Sequence, residues 1–124
     1  MKRILVVDDS RVIREIIVQS LRQYGFLVTE AANGTEAKQL LESTRPDLVV
    51  TDLIMPEMNG YELCRWIKRG SHSIPVVMCS SKSEDVDRYW GVKQGADAYI
   101  TKPFNEKELC NIVATLLAAT SQAA

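Results

Sequence analysis

Hydrophobic and polar positions change period repeatedly along the chain. Residues 4–7, Ile-Leu-Val-Val, form an unbroken apolar run that stops at Asp8. Val12, Ile13, Ile16, Ile17 and Leu21 then recur at helical spacing, and Gly25 closes that segment. Residues 27–31 read as a short strand. Asn33-Gly34 makes a turn, Ala37, Leu40 and Leu41 give the next helix its apolar face, and Pro46 ends it. Leu48, Val49 and Val50 make a third strand stopping at Asp52. Pro56, Asn59 and Gly60 punctuate the following loop, with Asn59 placed to cap a helix whose inner face is Leu63, Cys64 and Ile67. After a loop at 70–73, residues 76–79 form a fourth strand ending in Ser80-Ser81. Ser81 and Glu84 have capping-box spacing ahead of a fourth helix with Val86, Tyr89 and Trp90, and Gly95 suits its stop. Residues 98–101 are a brief fifth strand. Asn105 and Glu108 again have capping spacing, before a last helix that buries Leu109, Ile112, Val113, Leu116 and Leu117.

Five βα units account for the chain. Strands one, three and four are continuously apolar, as expected where helices cover both faces of a parallel sheet. The fold class is therefore α/β, a doubly wound five-stranded parallel sheet with right-handed crossovers. The expectation is a single domain over residues 1–124 with no output domain and a frayed tail at 118–124.

Composition narrows the class. The chain has 124 residues, 46% hydrophobic and 25% charged, with a formal net charge of −1. No apolar run approaches the roughly 20 residues of a membrane helix, and no overall positive field points to nucleic acid or anionic lipid. The first apolar stretch runs into two aspartates, so it reads as a buried strand and not as a leader. Cys64, Cys79 and Cys110 are few, odd in number and scattered. That fits buried thiols in a reducing, cytoplasmic setting better than disulfides or zinc.

Chemistry gathers at the strand ends. Ligands of open parallel sheets bind outside the carboxyl ends of the strands. Strand one ends at Asp8 and Asp9, strand three at Asp52, strand four at Ser80, and strand five beside Lys102. Two carboxylates about 4 Å apart repel by roughly 4 kcal/mol at an effective dielectric of 20. Either some are protonated or a cation sits among them. Oxygen ligands without histidine or thiolate point to Mg²⁺ (or Mn²⁺). A carboxylate can take a phosphoryl group, with a metal and Lys102 neutralising its oxygens and Ser80 donating to one of them.

Four segments carry a resemblance: Val-Val-Asp8-Asp9-Ser; Asp52-Leu-Ile-Met-Pro56-Glu-Met-Asn-Gly60; Pro75-Val-Val-Met-Cys-Ser80-Ser; and Gly95-Ala-Asp-Ala-Tyr99-Ile-Thr-Lys102-Pro103-Phe104. In this order the chain resembles the receiver domain of two-component response regulators. The resemblance implies a flavodoxin-like (βα)5 fold with strand order 2-1-3-4-5. It implies Asp52 as phosphoacceptor, Asp9 as direct Mg²⁺ ligand, Asp8 acting largely through water, and the Ile54 carbonyl completing the shell. It also implies Ser80 and Tyr99 as a switch pair, Lys102 as the phosphate-contacting cation, and a cis bond between Lys102 and Pro103. The implied partners are a histidine kinase and a downstream motor, pilus or other effector protein. Nucleic acid and membrane are not among them. The protein itself would be a monomer or a weak dimer through the face of the fourth helix, fifth strand and fifth helix. Residues 87–95 are similar to single-domain receivers of pilus-based motility. Ile54 and Lys82 depart from the chemotaxis receiver, which puts a shared phosphatase and dephosphorylation rate in doubt.

Plainer readings stand beside these. Asp8 and Asp9 could cap the first helix, Asp52 could be a turn residue, and Ser80 could satisfy a backbone group. Tyr99 could be an ordinary half-buried aromatic, as could Tyr89 and Trp90. His72, in a loop, reads as solvated. Among functions, a phosphorylation-operated binding module leads, and such a protein is not an enzyme beyond its own phosphorylation and dephosphorylation. A phosphate sink, a small aspartyl-phosphate phosphotransferase and a flavin or nucleotide binder are the alternatives. The last lacks a Gly-rich phosphate loop after the first strand.

Overall fold

The computed structural model describes residues 1–70, 74–81, 93 and 95–122, with side chains given up to residue 119. Five parallel strands form one sheet in the order β2-β1-β3-β4-β5. They are β1 (Arg3–Val7), β2 (Leu27–Ala31), β3 (Leu48–Asp52), β4 (Val76–Ser80) and β5 (Ala98–Thr101). The described helices are α1 (Arg11–Gln23), α2 (Gly34–Thr44), α3 (Gly60–Arg69) and α4 (Glu106–Gln122). The expected helix with Val86, Tyr89 and Trp90, and the loop with His72, lie outside the described residues, as does Lys82.

Alternation along the strands divides the core. Ile4, Val6, Leu48, Val50, Val77 and Cys79 meet α1 and α4 on one face. Leu5, Val7, Val49, Val76 and Met78 meet α2 and α3 on the other. Both faces are buried, which is why β1 and β4 read as continuous apolar runs. The three cysteines are buried and form no disulfide. Burial pushes the Cys64 thiol up to about 11 and the Cys79 thiol to about 12, so both stay protonated at neutral pH.

Helix starts follow side-chain caps. Asn33 caps α2 through Glu36, and Asn59 caps α3 in a reciprocal box with Glu62. Asn105 accepts from the amides of Lys107 and Glu108 at the start of α4. Asn33 is thus a cap, where a turn is expected. Helix α2 stops at Arg45, which takes a left-handed φ of 47° just before Pro46.

The first helix departs from its expected face. Val12 is 67% and Ile16 42% exposed, while Ile17, Val18, Ser20 and Leu21 are buried. The apolar stripe of α1 is wider than the surface the sheet can cover. Ser20 tolerates its buried place because its hydroxyl donates to the Ile16 carbonyl at 2.9 Å. The last helix also differs: it continues to Gln122, through part of the stretch expected to fray. Alanines 118 and 119 lie in that stretch, and alanine is the best helix former.

Candidate functional site

Strand register sets the level of each site residue. Val7 pairs with Thr51, Asp52 with Cys79, and Ser80 with Thr101. The next residues outward are Asp8 after β1 and Lys102 after β5, so four strands deliver Asp8, Asp52, Ser80 and Lys102 to one edge. Asp9 follows Asp8 into the solvent-facing loop and is exposed.

Asp8, Asp9 and Asp52 each offer a carboxylate oxygen, and these oxygens all lie within 4.8 Å of one another. Lys102 bridges two of them, its Nζ donating to Asp8 Oδ2 at 3.0 Å and Asp52 Oδ1 at 3.3 Å. Asp8 also accepts the Ser10 amide on Oδ1 at 2.9 Å. Asp52 Oδ1 further accepts the Leu53 amide at 2.9 Å. Among the described residues nothing donates to Asp52 Oδ2, so one oxygen of this carboxylate is held while the other is available. Asp8 does not cap α1; Ser10 does, accepting from the Ile13 amide, because Asp8 is turned into the acidic cluster.

Burial and charge compete here. The Asp52 carboxyl is raised above its ordinary value, because burial outweighs the lowering effect of Lys102 and the Asp8 charge adds to the rise. Burial pulls the Lys102 ammonium down, but its hydrogen bond to Asp8 and the charges of Asp52 and Asp8 more than offset that, leaving it raised. Asp52 thus lies in a cluster whose negative charge a single ammonium does not balance.

The donor set fits a hard divalent cation. The cluster is all oxygen, it has one exposed member in Asp9, and it combines a few carboxylates with access for water, as Mg²⁺ or Mn²⁺ prefers. Ile54 is 54% exposed beside it, and among the described residues no group donates to its backbone carbonyl.

Two further residues hold the site, and the sequence reading did not single them out for it. Arg14 Nη1 donates to the Asp8 carbonyl at 2.7 Å while its Nε pairs with Glu30 at 3.1 Å. Asp8 precedes α1 and Arg14 lies within it, six residues on, so no helical spacing signals the contact. Gly60 donates its amide to the Leu53 carbonyl at 2.7 Å. A Cβ at Gly60 would meet the Asp52 carbonyl oxygen and stand 2.9 Å from Leu53 Cα. Any larger residue would displace the backbone that carries Asp52. Between them, Glu57 adopts φ 68° and the Met58 amide donates to the Pro56 carbonyl at 2.7 Å, a tight three-residue turn.

Ser80 is fully buried at the end of β4, and its carbonyl accepts the Lys102 amide at 2.7 Å. Tyr99 pairs with Met78 in β5 and is half-buried against the core on the α2–α3 face. The peptide bond between Lys102 and Pro103 is cis.

Comparison with known proteins agrees with this arrangement. The response regulator receiver domain profile matches residues 4–114. The DNA-binding response regulator MtrA of Mycobacterium tuberculosis is 44% identical over 108 residues, which cover 87% of this chain and 47% of MtrA. The alkaline phosphatase synthesis transcriptional regulatory protein SphR of Synechococcus elongatus is 42% identical over an alignment 116 positions long, which covers 86% of this chain and 45% of SphR. This chain therefore spans about half the length of the curated relatives it matches. A CheY-like response regulator receiver domain protein of Methanospirillum hungatei superposes with a TM-score of 0.94 at 28% identity, covering 100% of this chain and 99% of that one. Fold, sequence profile and relatives converge: the chain belongs to the receiver domain family of two-component response regulators.

Proposed function

We propose that this chain accepts a phosphoryl group on Asp52 from a histidine kinase and uses it to switch a protein-binding face. The observation that carries the reading is the convergence of Asp8, Asp9 and Asp52 within 4.8 Å, with Lys102 bonded to two of them. Asp8, Asp9, Asp52 and the Ile54 carbonyl would hold Mg²⁺ or Mn²⁺, which when bound would neutralise oxygens of the transferred group.

The protein's own groups do the positioning. The Leu53 amide and Lys102 fix Asp52 Oδ1, leaving Oδ2 to form the new bond to phosphorus as the bond to the donor breaks. Lys102 would then balance charge on the phosphoryl oxygens, and the Ser80 hydroxyl would donate to one of them. Movement of Ser80 would be answered by Tyr99. The activities are the chain's own phosphorylation and dephosphorylation. An apolar cavity of about 360 Å³ between Ile13, Ile16 and Phe104 opens beside Lys102 and offers the kinase a place to approach. No described helix is long and apolar enough to cross a membrane.

Two outputs have support. The stretch at 87–95 favours chemotaxis or pilus-based motility through an effector protein. The names of MtrA and SphR favour transcriptional control.

Acetyl phosphate with Mg²⁺ should add one phosphoryl group by intact-mass spectrometry, and Asp52→Asn should take none. Equal labelling of that variant would end the proposal. Sustained hydrolysis of an added phosphoester would favour the phosphotransferase alternative.

A further inference from the structure

The seam between α2 and α3 carries a second charged region, remote in chemistry from the acidic cluster. A cavity of about 460 Å³ lies between Leu41, Arg45, Trp66, Ile67 and Arg69. Another of about 200 Å³ lies between Lys38, Met58, Arg65, Trp66 and Arg69. Trp66 and Arg69 line both, so the two adjoin as one grooved stretch of the seam. Lys38 and Arg45, seven residues apart on the α2 side, give it a length of about 10 Å at 1.5 Å per helical residue.

Its floor is apolar and its rim basic. Leu41 and Ile67 are buried and Trp66 half-buried. Lys38, Arg45, Arg65 and Arg69 stand around them against two carboxylates, Glu42 and Glu62. Glu62 is already engaged with the Asn59 amide in the α3 cap. Among the described residues none of the four cations is ion-paired with a carboxylate. Lys38 lies 5.1 Å from the centroid of the Trp66 ring. This concentration of positive charge arises in a chain whose net charge is −1.

We infer that this groove docks an acidic segment of a partner protein, anchored by an apolar or aromatic side chain against Trp66. Charge complementarity names the occupant. Four cations with no carboxylate partner among the described residues steer carboxylates, and the groove's length suits two turns of helix or a few extended residues. The apolar floor supplies the anchor that a purely ionic surface lacks. The groove is separate from Asp52, so the inference does not depend on phosphorylation.

The test uses the unphosphorylated full chain. The probe is a fluorescein-labelled octapeptide, Glu-Asp-Glu-Leu-Glu-Asp-Phe-Glu, followed by anisotropy. Half-saturation is expected at about 0.1–1 mM, with the Trp66 indole resonance shifting. The double variant Arg45→Glu, Arg69→Glu should weaken binding at least tenfold. Trp66→Phe should retain part of it, and Lys107→Glu on α4 should leave it unchanged. No binding up to 1 mM, equal binding of a peptide with lysine in place of each acid, or unchanged binding by the double variant would each overturn the inference. ATP binding in place of the peptide would assign the groove to small anions and would overturn it too.

Discussion

The acidic end of the sheet and the basic seam between α2 and α3 both concentrate charge, and they do so in opposite ways. At the sheet edge the charged side chains other than the exposed Asp9 are mostly shielded from water: Asp8 is 1%, Asp52 12% and Lys102 16% exposed. There the chain must satisfy its own charges, and Lys102 bridges two carboxylates delivered by β1 and β3. Along the seam Arg45, Arg65 and Arg69 are exposed and face no carboxylate partner among the described residues. Water satisfies them. A buried charge is costly without a partner, whereas an exposed one is nearly neutral to stability. The sheet edge is therefore under conformational constraint from its own charges, and the seam is available to charges from elsewhere.

Removing a cation from each region gives the largest expected contrast. Lys102→Met should cost about 2–3 kcal/mol of stability in EDTA at neutral pH, because Asp8 and Asp52 would be left buried without their shared partner. Arg69→Met should change stability by less than about 0.5 kcal/mol. Urea denaturation of both variants measures the difference. Equal losses would break the comparison. Lys102→Met should also tighten Mg²⁺ binding, since the ammonium competes with the ion for the same oxygens.

Metal dependence is the next contrast in size. Mg²⁺ at ten times its dissociation constant should add about 1.4 kcal/mol to stability by binding the folded state alone. Asp9→Asn should remove that increment, while Arg45→Glu on the seam should leave it intact. Thermal denaturation with and without Mg²⁺ reads both. Stabilisation of Asp9→Asn equal to that of the parent would place the ion elsewhere.

The two regions also differ in how far the sequence discloses them. Asp8, Asp52, Ser80 and Lys102 each stand where an apolar run ends, and parallel strands in register bring such ends together. The pattern alone thus assembles the edge, and it bounds β2 and β5 at the observed residues. What it misses there depends on shape. Gly60 reads as turn punctuation, and only the packing of α3 against β3 shows that a Cβ would strike the Asp52 carbonyl. Glu57 gives no hint of its left-handed backbone, since that conformation usually selects Gly or Asn. Asp8 and Asp9 read from the sequence as possible caps for α1, and Ser10 does not stand out there. The choice falls to Ser10 because the cluster claims Asp8. Val12 and Ile16 fit the helical period but lie beyond the strip that the sheet covers. The seam is less legible still. Lys38, Arg45, Arg65 and Arg69 are scattered over two helices, and nothing in their spacing says that those helices lie side by side.

The smallest predicted effect bears on the acidic edge alone, and it is a gain in stability. Burial raises the Asp52 carboxyl above its ordinary value, so the folded protein binds that proton more tightly than the unfolded chain does. Stability from this group is therefore fullest below the ordinary carboxylate value of 3.8 and declines as pH rises through the raised one. At neutral pH in EDTA the ionised Asp52 is a net burden. Asp52→Asn removes the charge but keeps the shape, and should raise stability by about 1 kcal/mol, a few degrees in melting temperature. The gain should shrink as pH falls through the raised Asp52 value, below which the parent carboxyl is itself protonated. Saturating Mg²⁺ should reverse the order of the two proteins, because the ion rewards the charge that the apo site penalises. Melting curves across pH, with EDTA and then with Mg²⁺, separate these cases. An Asn variant less stable than its parent in EDTA would mean that Lys102 outweighs burial, and the edge would then be an ordinary satisfied ion pair with no deficit for a cation to fill.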